Sequence, residues 1–283
     1  MPRDVAPCQS PSALSYRSPI DPAPPPDYRL GSMSARVVVI IPARFGSTRL
    51  PGKALAMIDG RPMVRHVAER ARAAHSVERV IVATDDDRIR SAVAPTGVEV
   101  VMTRADHPSG TDRLAEVASG LDAEVIINVQ GDLPLLDPEM IDRLGARMLA
   151  DPALPMGTLV TPIRTDAEWQ SPHVVKVAIA ADGRALYFSR APIPYDHQGR
   201  FGWRHIGMYA YRRLTLLQLA ALPPSPLELR EKLEQLRALE HGIPIGIVEW
   251  AAAEPLIEVD TAEDLEQARA AVRATNTVSS RTN

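Results

Sequence analysis

The segment 42–53 carries the residue types that proteins use to hold phosphate groups. Gly46 and Gly52 allow backbone N–H groups to approach an anion closely. The basic side chains that can neutralise phosphate charge here are Arg44, Arg49 and Lys53. The segment is not a P-loop, because five residues separate its glycines and Ala54 follows the lysine where serine or threonine is required. By residue type it is either a phosphate-binding loop or an ordinary basic loop.

Two aspartates lie where a metal ion could be held. Asp132 follows Gly131 directly after a predicted buried strand, a common position for a carboxylate that binds Mg²⁺ together with phosphates. Asp260 lies between a late predicted strand and the last predicted helix. If those two strands are neighbours, both carboxylates can reach one cation. The alternatives are a turn aspartate for Asp132 and a helix N-cap for Asp260.

Two further segments join a predicted strand to a predicted helix. In the acidic run 85–87, Asp86 and Asp87 are typical of a helix start, whereas Asp85 is the residue best placed to face a ligand. The segment 109–111 offers hydroxyls and free backbone N–H groups, which suits either a base or ribose site or a simple helix N-cap. His107 alone favours a structural role.

The elements that must position these segments alternate along the first half of the chain. Buried β-branched runs predict strands at 37–41, 79–83, 98–102 and 125–129. Helical spacing of apolar residues predicts helices at 62–71, 111–118 and 138–149. Such alternation predicts an α/β fold with a mostly parallel central sheet flanked by helices. Its loops after the strands would lie at one sheet edge, where ligands bind.

The pattern changes after Pro155. The runs 174–180 and 184–188 flank Asp182-Gly183, which predicts a hairpin. Further predicted elements are a strand at 205–211, helices at 214–222 and 225–242, a strand at 243–250, and a helix opened by a capping box at 261–264. We interpret 155–212 as an antiparallel excursion within a single domain that spans 36–275.

Composition excludes several classes of function. The 283 residues carry a formal net charge of −3, so no bulk positive field favours nucleic acid. The single cysteine, Cys8, excludes intramolecular disulfides and cysteine-based zinc sites. No apolar run approaches the ~20 residues of a membrane span, and we expect a cytoplasmic protein. The proline-rich segment 1–35 is predicted to be disordered, as an N-terminal extension or a vector or start-site artefact, and 276–283 to be a loose tail.

Six segments, taken in order, resemble the signature of the sugar-acid cytidylyltransferases. Within that family they are most similar to the members that act on 3-deoxy-manno-octulosonate (Kdo). The segments are 42–53 (Pro-Ala-Arg-x-x-Ser-x-Arg-Leu-Pro-Gly-Lys), 102–113, 128–132, 187–190, 205–209 and 233–237. The resemblance implies a Rossmann-like nucleotidyltransferase fold that dimerises through the antiparallel subregion. It also implies the reaction of CTP with Kdo to give CMP-Kdo and pyrophosphate, with Mg²⁺ as cofactor, for lipopolysaccharide biosynthesis.

The resemblance also assigns roles to individual residues. The implied catalytic residues are Arg44, Lys53 and Asp132. The implied CTP-binding residues are Ala43, Arg44, Ser47, Lys53, Ala83, Thr84, Asp85, Ser109, Gly110, Thr111 and Gln130. The implied sugar-acid-binding residues are Gln130, Arg190, His205, Tyr209, Glu234 and Gln235. The implied magnesium ligands are Asp132 and Asp260.

One position departs from the family pattern. The family usually reads Gly-Asp-Glu-Pro where this chain has Gly131-Asp132-Leu133-Pro134. If the missing glutamate supports the metal ligands, metal affinity falls by about 10–100-fold; if it faces solvent, little changes. Leu133 keeps two alternatives open: a cytidylyltransferase for another acidic sugar, such as a capsule paralogue or one acting on 8-amino-Kdo or a sialic-acid-like sugar, and a non-catalytic CTP-binding paralogue.

Overall fold

The computed structural model describes residues 37–46, 50–195, 202–251 and 256–279, which form an α/β fold. The strands are β1 (Val37–Ala43), β2 (Met57–Ile58), β3 (Arg61–Pro62), β4 (Arg79–Thr84), β5 (Glu99–Met102), β6 (Val125–Asn128), β7 (Met156–Pro162), β8 (Lys176–Ile179), β9 (Ala185–Ser189), β10 (Trp203–Arg212) and β11 (Ile245–Glu249). The helices are α1 (Met63–Arg72), α2 (Asp87–Val93), α3 (Gly110–Ser119), α4 (Pro138–Ala150), α5 (Asp166–Gln170), α6 (Arg213–Ala221), α7 (Pro226–Glu231), α8 (Gln235–Glu240) and α9 (Ala262–Ser279). The predicted segment 1–35 lies outside the described residues.

One mixed sheet organises the described chain. Its main strands run in the order β11-β7-β10-β6-β1-β4-β5, and the β8–β9 hairpin pairs with β10. The four strands β5, β4, β1 and β6 are mutually parallel, as are β7 and β11. Only β10 runs antiparallel between β6 and β7 among the described main strands. The predicted mostly parallel sheet flanked by helices is confirmed.

The first strand shows why the sequence forms this sheet. Every residue from Val37 to Ile41 is buried, because β4 and β6 pair with both edges of β1 and helices cover both faces. Alternate side chains of a strand point to opposite faces. Val39 and Ile41 accordingly join a hydrophobic cluster with α1 and α4, whereas Val38 and Ile40 join a cluster with α3 and α6. The β-branched run is therefore the centre of two cores.

The second half differs from its predicted arrangement. The predicted hairpin exists, with β8 and β9 antiparallel around Asp182-Gly183. However, 155–212 is not only an excursion, because β7 and β10 are strands of the central sheet. Strand β7 was missed, because Pro155 and Gly157 flank its start and are typical of turns. The predicted helix 225–242 is two helices, α7 and α8, because Lys232 adopts a left-handed conformation with φ of 57° that ends α7.

The predicted helix starts at Asp86 and Thr261 are confirmed. The Asp86 carboxylate accepts a hydrogen bond from the backbone N–H of Arg88 at the start of α2. The Thr261 hydroxyl accepts from the Asp264 backbone N–H, and the Asp264 carboxylate accepts from the Thr261 backbone N–H. Helix α9 runs to Ser279, beyond the domain end expected at 275, since no glycine or proline stops it there. None of the helices in the described ranges has the length and apolar character to cross a membrane.

Candidate active site

Two adjoining cavities open at the sheet edge where the parallel strands end. The first cavity, of about 280 Å³, lies between the segments that follow β1 and β6 and the start of α3. The second cavity, of about 320 Å³, lies between the end of β6, strand β10 and the start of α8. The residues that line both are Gly110, Gln130, Asp132 and Asp260. Ligands in the two cavities would therefore meet at this shared wall.

A lysine and two aspartates form the junction of the cavities. Lys53 Nζ lies 2.8 Å from Asp132 Oδ2 and 3.1 Å from Asp260 Oδ1. Burial lowers the pKa of Lys53, but attraction by the two carboxylates outweighs it and the pKa is raised. The lysine is therefore a cation held between two anions. Asp132 does lie in a turn after β6, and its carboxylate binds Lys53 from there. Asp260 also binds Lys53 and is not a helix N-cap, because Thr261 caps α9.

Backbone geometry places these three side chains. Gly52 adopts a left-handed conformation with φ of 68°, which turns the chain into a single 3₁₀ turn that begins at Lys53. At Gly131, a β-carbon would lie 3.0 Å from the carbonyl oxygen of Pro42, so a larger residue would have to push the end of β6 away from β1 by a few tenths of an ångström. The backbone N–H of Val259 donates to the Asp132 carbonyl at 2.9 Å, which fixes the segment before α9 beside β6.

The donor set at the junction fits Mg²⁺. This cation prefers oxygen ligands and is usually held by one or two carboxylates together with substrate phosphates and water. Asp132 and Asp260 converge on the position that the Lys53 ammonium occupies, so the pair can neutralise a cation. Across the described ranges, no group of three or more histidine, cysteine, aspartate or glutamate side chains is arranged as a metal cage. A magnesium site here would need ligands from the substrate.

Glu258 is a site residue that the sequence reasoning missed. It lines the second cavity beside Asp132 and Asp260. Burial raises the pKa of the Glu258 carboxyl, and the charges of both aspartates raise it further. The sequence signal that could have identified Glu258 is the alternation of acidic and apolar residues around Val259. Val259 is fully buried, while Glu258 and Asp260 on either side line the cavity. Such alternation is typical of an extended segment.

The start of α3 serves both cavities. Ser109 is the N-cap of α3, because its hydroxyl accepts a hydrogen bond from the Asp112 backbone N–H. The same side chain lines the first cavity together with Gly110, so the two readings of this segment are compatible. Ser109 Oγ also lies 3.2 Å from Glu234 Oε1, across the boundary to the second cavity. Thr111 lines the second cavity, not the first.

Several residues implied to bind CTP lie in or behind the first cavity. Ala43, Arg44 and Lys53 line it directly. Ala83 and Thr84 are fully buried in β4 and line neither cavity. Asp85 also lies behind the wall, where its carboxylate is 3.6 Å from the guanidinium of Arg113, a lining residue. Ser47 and Arg49 lie outside the described residues.

Arg190 is not brought into the second cavity. Its Nε donates to the Glu231 carbonyl at 2.8 Å and its Nη1 to the Pro172 carbonyl at 2.9 Å, so it ties two loops together. The basic residue that lines this cavity, among those the structure describes, is the neighbouring Lys232. Sequence reasoning missed Lys232, because its position follows from the break between α7 and α8.

His205 lies behind the second cavity instead of lining it. Thr158 donates its hydroxyl hydrogen to the Met208 carbonyl at 2.8 Å, so its oxygen accepts from His205 Nε2–H at 3.0 Å. Burial, with a smaller effect of the Arg204 charge, lowers the pKa of His205 to about 3. The neutral ring packs 5.3 Å from the ring of Tyr209, which does line the cavity. His205 is therefore a support for Tyr209.

The remaining sugar-acid candidates converge in the second cavity. Gln130, Tyr209, Glu234 and Gln235 all line it. Burial raises the pKa of the Glu234 carboxyl and of the Tyr209 hydroxyl. Leu133 is fully buried in the core and also lines the cavity, so the solvent-facing alternative does not describe this position. It gives the second cavity an apolar wall.

Comparisons with known proteins identify relatives of this chain. The chain matches the family model described as Cytidylyltransferase over residues 38–245. The 3-deoxy-manno-octulosonate cytidylyltransferase of Geobacter sulfurreducens is 53% identical over 244 residues, covering 82% of this chain and 97% of that protein. The protein of the same name from Myxococcus xanthus is 51% identical over 245 residues, covering 85% and 98%.

Solved structures of cytidylyltransferases are also similar to this chain. A structure of CMP:2-keto-3-deoxy-manno-octonic acid synthetase complexed with CTP has 46% sequence identity and a TM-score of 0.81, and the match covers 85% of this chain and 99% of that one. A cytidylyltransferase from Leptospira borgpetersenii, at 18% identity, has a TM-score of 0.58 over 84% of this chain and 87% of that one. The latter similarity concerns the fold alone.

Proposed function

This chain belongs to the cytidylyltransferase family, and we propose that it transfers CMP from CTP to the anomeric hydroxyl of Kdo, releasing pyrophosphate. The observation that carries the proposal is the cationic Lys53 held by Asp132 and Asp260 where two cavities meet. One cavity has basic residues for a triphosphate, and the other has hydroxyl-binding groups for a sugar. The junction is where the reacting atoms would meet.

The first cavity is the CTP site in this proposal. Arg44 and Lys53 neutralise the triphosphate, while Ser109 and Gly110 at the start of α3 hold the nucleoside. The sugar oxygen forms a bond to the α-phosphorus as the bond to the pyrophosphate oxygen breaks. Such transfers depend mainly on positioning and on stabilisation of the charge that develops. Lys53, at the junction, is the protein cation placed to stabilise that charge.

Magnesium is the proposed cofactor, and Asp132 and Asp260 are the residues that would hold it. When bound, Mg²⁺ neutralises phosphate charge and lowers the pKa of a coordinated hydroxyl. The ammonium of Lys53 lies between the same two carboxylates, so a lysine and a metal ion would share their charge.

The second cavity is the sugar-acid site in this proposal. Gln130, Tyr209 and Glu234 offer hydrogen-bonding groups for hydroxyls. The carboxylate of the sugar needs a positive partner, because the described lining otherwise carries four carboxylates, on Asp132, Glu234, Glu258 and Asp260. Lys232 supplies that charge at the exposed rim.

Three further statements are proposals that follow from the family resemblance. The product supports lipopolysaccharide biosynthesis, the reaction takes place in the cytoplasm, and the protein acts as a homodimer. If the dimer forms through the β8–β9 hairpin, Leu186 on β9, which is 63% exposed, is a position where an added charge would disturb the interface. Sedimentation of the wild type and of Leu186→Glu tests this proposal, since loss of a dimer in the variant alone would identify the face.

Pyrophosphate release from CTP and Kdo, measured with and without Mg²⁺, tests the proposed reaction. We expect strong release that depends on Mg²⁺ and is nearly lost in Lys53→Ala. Wild-type release no greater than that of the variant would overturn the proposal. A parallel panel of Kdo, 8-amino-Kdo and sialic acid separates the alternatives: preference for another sugar would point to a related cytidylyltransferase, and CTP binding without turnover would point to a non-catalytic paralogue.

A further inference from the structure

The lining of the second cavity contains two buried polar atoms that have no hydrogen-bond partner among the described residues. They are Asn128 Oδ1 and Gln235 Nε2. Asn128 is 2% exposed and Gln235 is 4% exposed, so bulk water does not replace the missing partners. Nearly all buried polar groups in proteins are hydrogen-bonded, and an exception calls for a missing partner. Both atoms here belong to side chains that line one cavity.

The position of Asn128 is fixed by its neighbours. It is the last residue of β6 and lies directly opposite Tyr209 in the antiparallel pairing with β10. Its side chain is hydrogen-bonded to the hydroxyl of Tyr211, which is also buried. Since Oδ1 is the unpaired atom, the amide NH₂ makes that bond and the carbonyl oxygen is left as an oriented acceptor. A rigid strand thus holds an unused acceptor beside the proposed sugar site.

The two unpaired atoms have opposite hydrogen-bonding character. Asn128 Oδ1 accepts hydrogen bonds, whereas Gln235 Nε2 donates them. A sugar hydroxyl can donate and accept at the same time, so a polyhydroxylated ligand satisfies both atoms. The ionised carboxylates that line this cavity only accept hydrogen bonds. They therefore cannot donate the hydrogen bond that Asn128 Oδ1 lacks.

We propose that Asn128 is a specificity-determining residue that accepts a hydrogen bond from one hydroxyl of the sugar acid, with Gln235 Nε2 as the complementary donor. This inference rests on the proposed function of the second cavity. It adds a residue to the sugar site that neither the loop pattern nor the resemblance assigned. It also explains why a polar residue ends the apolar strand β6.

The test compares the wild type with Asn128→Ala on Kdo and on a series of Kdo analogues, each lacking one hydroxyl. We expect the variant to raise KM for Kdo about tenfold and to change KM for CTP less than about twofold. One deoxy analogue should cost the wild type about tenfold in kcat/KM and the variant almost nothing, because the partner of that hydroxyl is already gone.

Equal losses for every analogue in wild type and variant would overturn the proposal, as would an equal rise in KM for CTP and Kdo. If Asn128→Ala lowers the unfolding temperature strongly, Asn128→Ser and Tyr211→Phe decide the question by the same analogue comparison. Tyr211→Phe removes the hydrogen bond that orients Asn128 and should weaken discrimination of the same hydroxyl. Absence of wild-type turnover with Kdo would contradict the proposed function itself. That outcome differs from failure of the Asn128 proposal, because it is seen in the wild type before any variant is compared.

Discussion

The two cavities share a wall but differ in charge and in origin. The described basic residues of the first cavity are Arg44, Lys53 and Arg113. The second cavity is lined by four carboxylates and by a single described base, Lys232, at its rim. The first cavity favours a polyanion, whereas the second disfavours one and offers polar groups to hydroxyls. The charge difference therefore supports the proposed placement of CTP in the first cavity and of the sugar acid in the second.

The sheet explains why the cavities differ. Segments after the parallel strands β1 and β6 build the first cavity, in the usual place for ligands in an open α/β sheet. The second cavity depends on β10, which runs antiparallel to β6 and brings Tyr209 to the same edge. The first is a property of local loops, and the second arises from long-range strand pairing.

The shared wall should give the largest effect. Asp132→Asn removes one of the two carboxylates that bind Lys53 and would hold Mg²⁺. We expect kcat to fall by about 10²–10³-fold, because the lost charge acts most on the transition state. The dissociation constant for CTP, measured by calorimetry, should change less than about tenfold.

Asp137→Asn is the matched control for this substitution. It makes the same chemical change at the N-cap of α4, where asparagine caps as well as aspartate does. Its turnover should stay within about twofold of the wild type. Unchanged turnover in Asp132→Asn would show that the metal site has been placed on the wrong residues.

A charge change at the rim should affect the second cavity alone. Lys232→Met removes the basic group of its described lining, and we expect KM for Kdo to rise about tenfold, as for a charged hydrogen bond worth ~1.4 kcal/mol. KM for CTP should not change. The variant should also lose the preference of the wild type for Kdo over its carboxamide.

Arg230→Met controls for net charge, because Arg230 is exposed on α7 and lies outside both linings. Lys232→Arg should restore most of the affinity for Kdo. If Lys232→Met and Arg230→Met behave alike, Lys232 does not recognise the carboxylate, and the charge comparison between the cavities loses its main support.

Two glycines test the cavities sterically. At Gly131 a β-carbon meets the Pro42 carbonyl at 3.0 Å, whereas at Gly207 a β-carbon meets nothing within 4 Å. Gly131→Ala should push the end of β6 away from Pro42 by a few tenths of an ångström and should raise KM for CTP and for Kdo several-fold. Gly207→Ala should raise only KM for Kdo, by about two- to threefold, since Gly207 lines the second cavity alone. Steady-state kinetics on both substrates would contradict this if the two variants gave the same pattern.

The same contrast explains what the sequence revealed. The parallel strands and Lys53, Asp132 and Ser109 are readable because each lies in or next to a buried run followed by a short loop. Glu258 and Lys232 lie outside such runs, and Asn128, although it ends the buried run of β6, is not marked by that run as a residue that lines the second cavity. Their place in the site depends on which segments become neighbours, and a pattern along the chain does not encode that pairing. Tyr209 and Glu234 also depend on such pairing. Periodicity therefore did not identify them, and only the family resemblance did.

The family resemblance does not determine where a side chain points. It assigned His205 and Arg190 to the sugar site, whereas the structure places both beside it, with their polar atoms bound to Thr158 and to backbone carbonyls. A motif gives the position of a residue in the chain but not the direction of its side chain. Burial decides that direction for His205, and two loop carbonyls decide it for Arg190.

The smallest effect on catalysis is expected at His205, whose role lies in stability. In the folded protein the pKa of His205 is about 3, so the ring stays neutral until the pH falls near that value. In the unfolded chain the pKa of a histidine is about 6.5. The unfolded state therefore binds more protons as pH falls through this window, and the folded state loses stability. Between pH 7 and pH 5 the loss of folding free energy from this one group is about 2 kcal/mol.

His205→Gln, whose amide can still donate to Thr158, should remove that part of the loss while keeping kcat at pH 7.5. Denaturant unfolding at the two pH values measures it, with His173→Gln, the same change at an exposed histidine, as the control. An unchanged loss in His205→Gln would mean that the ring takes up a proton in the folded state, and the wall of the second cavity would then carry a charge that its burial argues against.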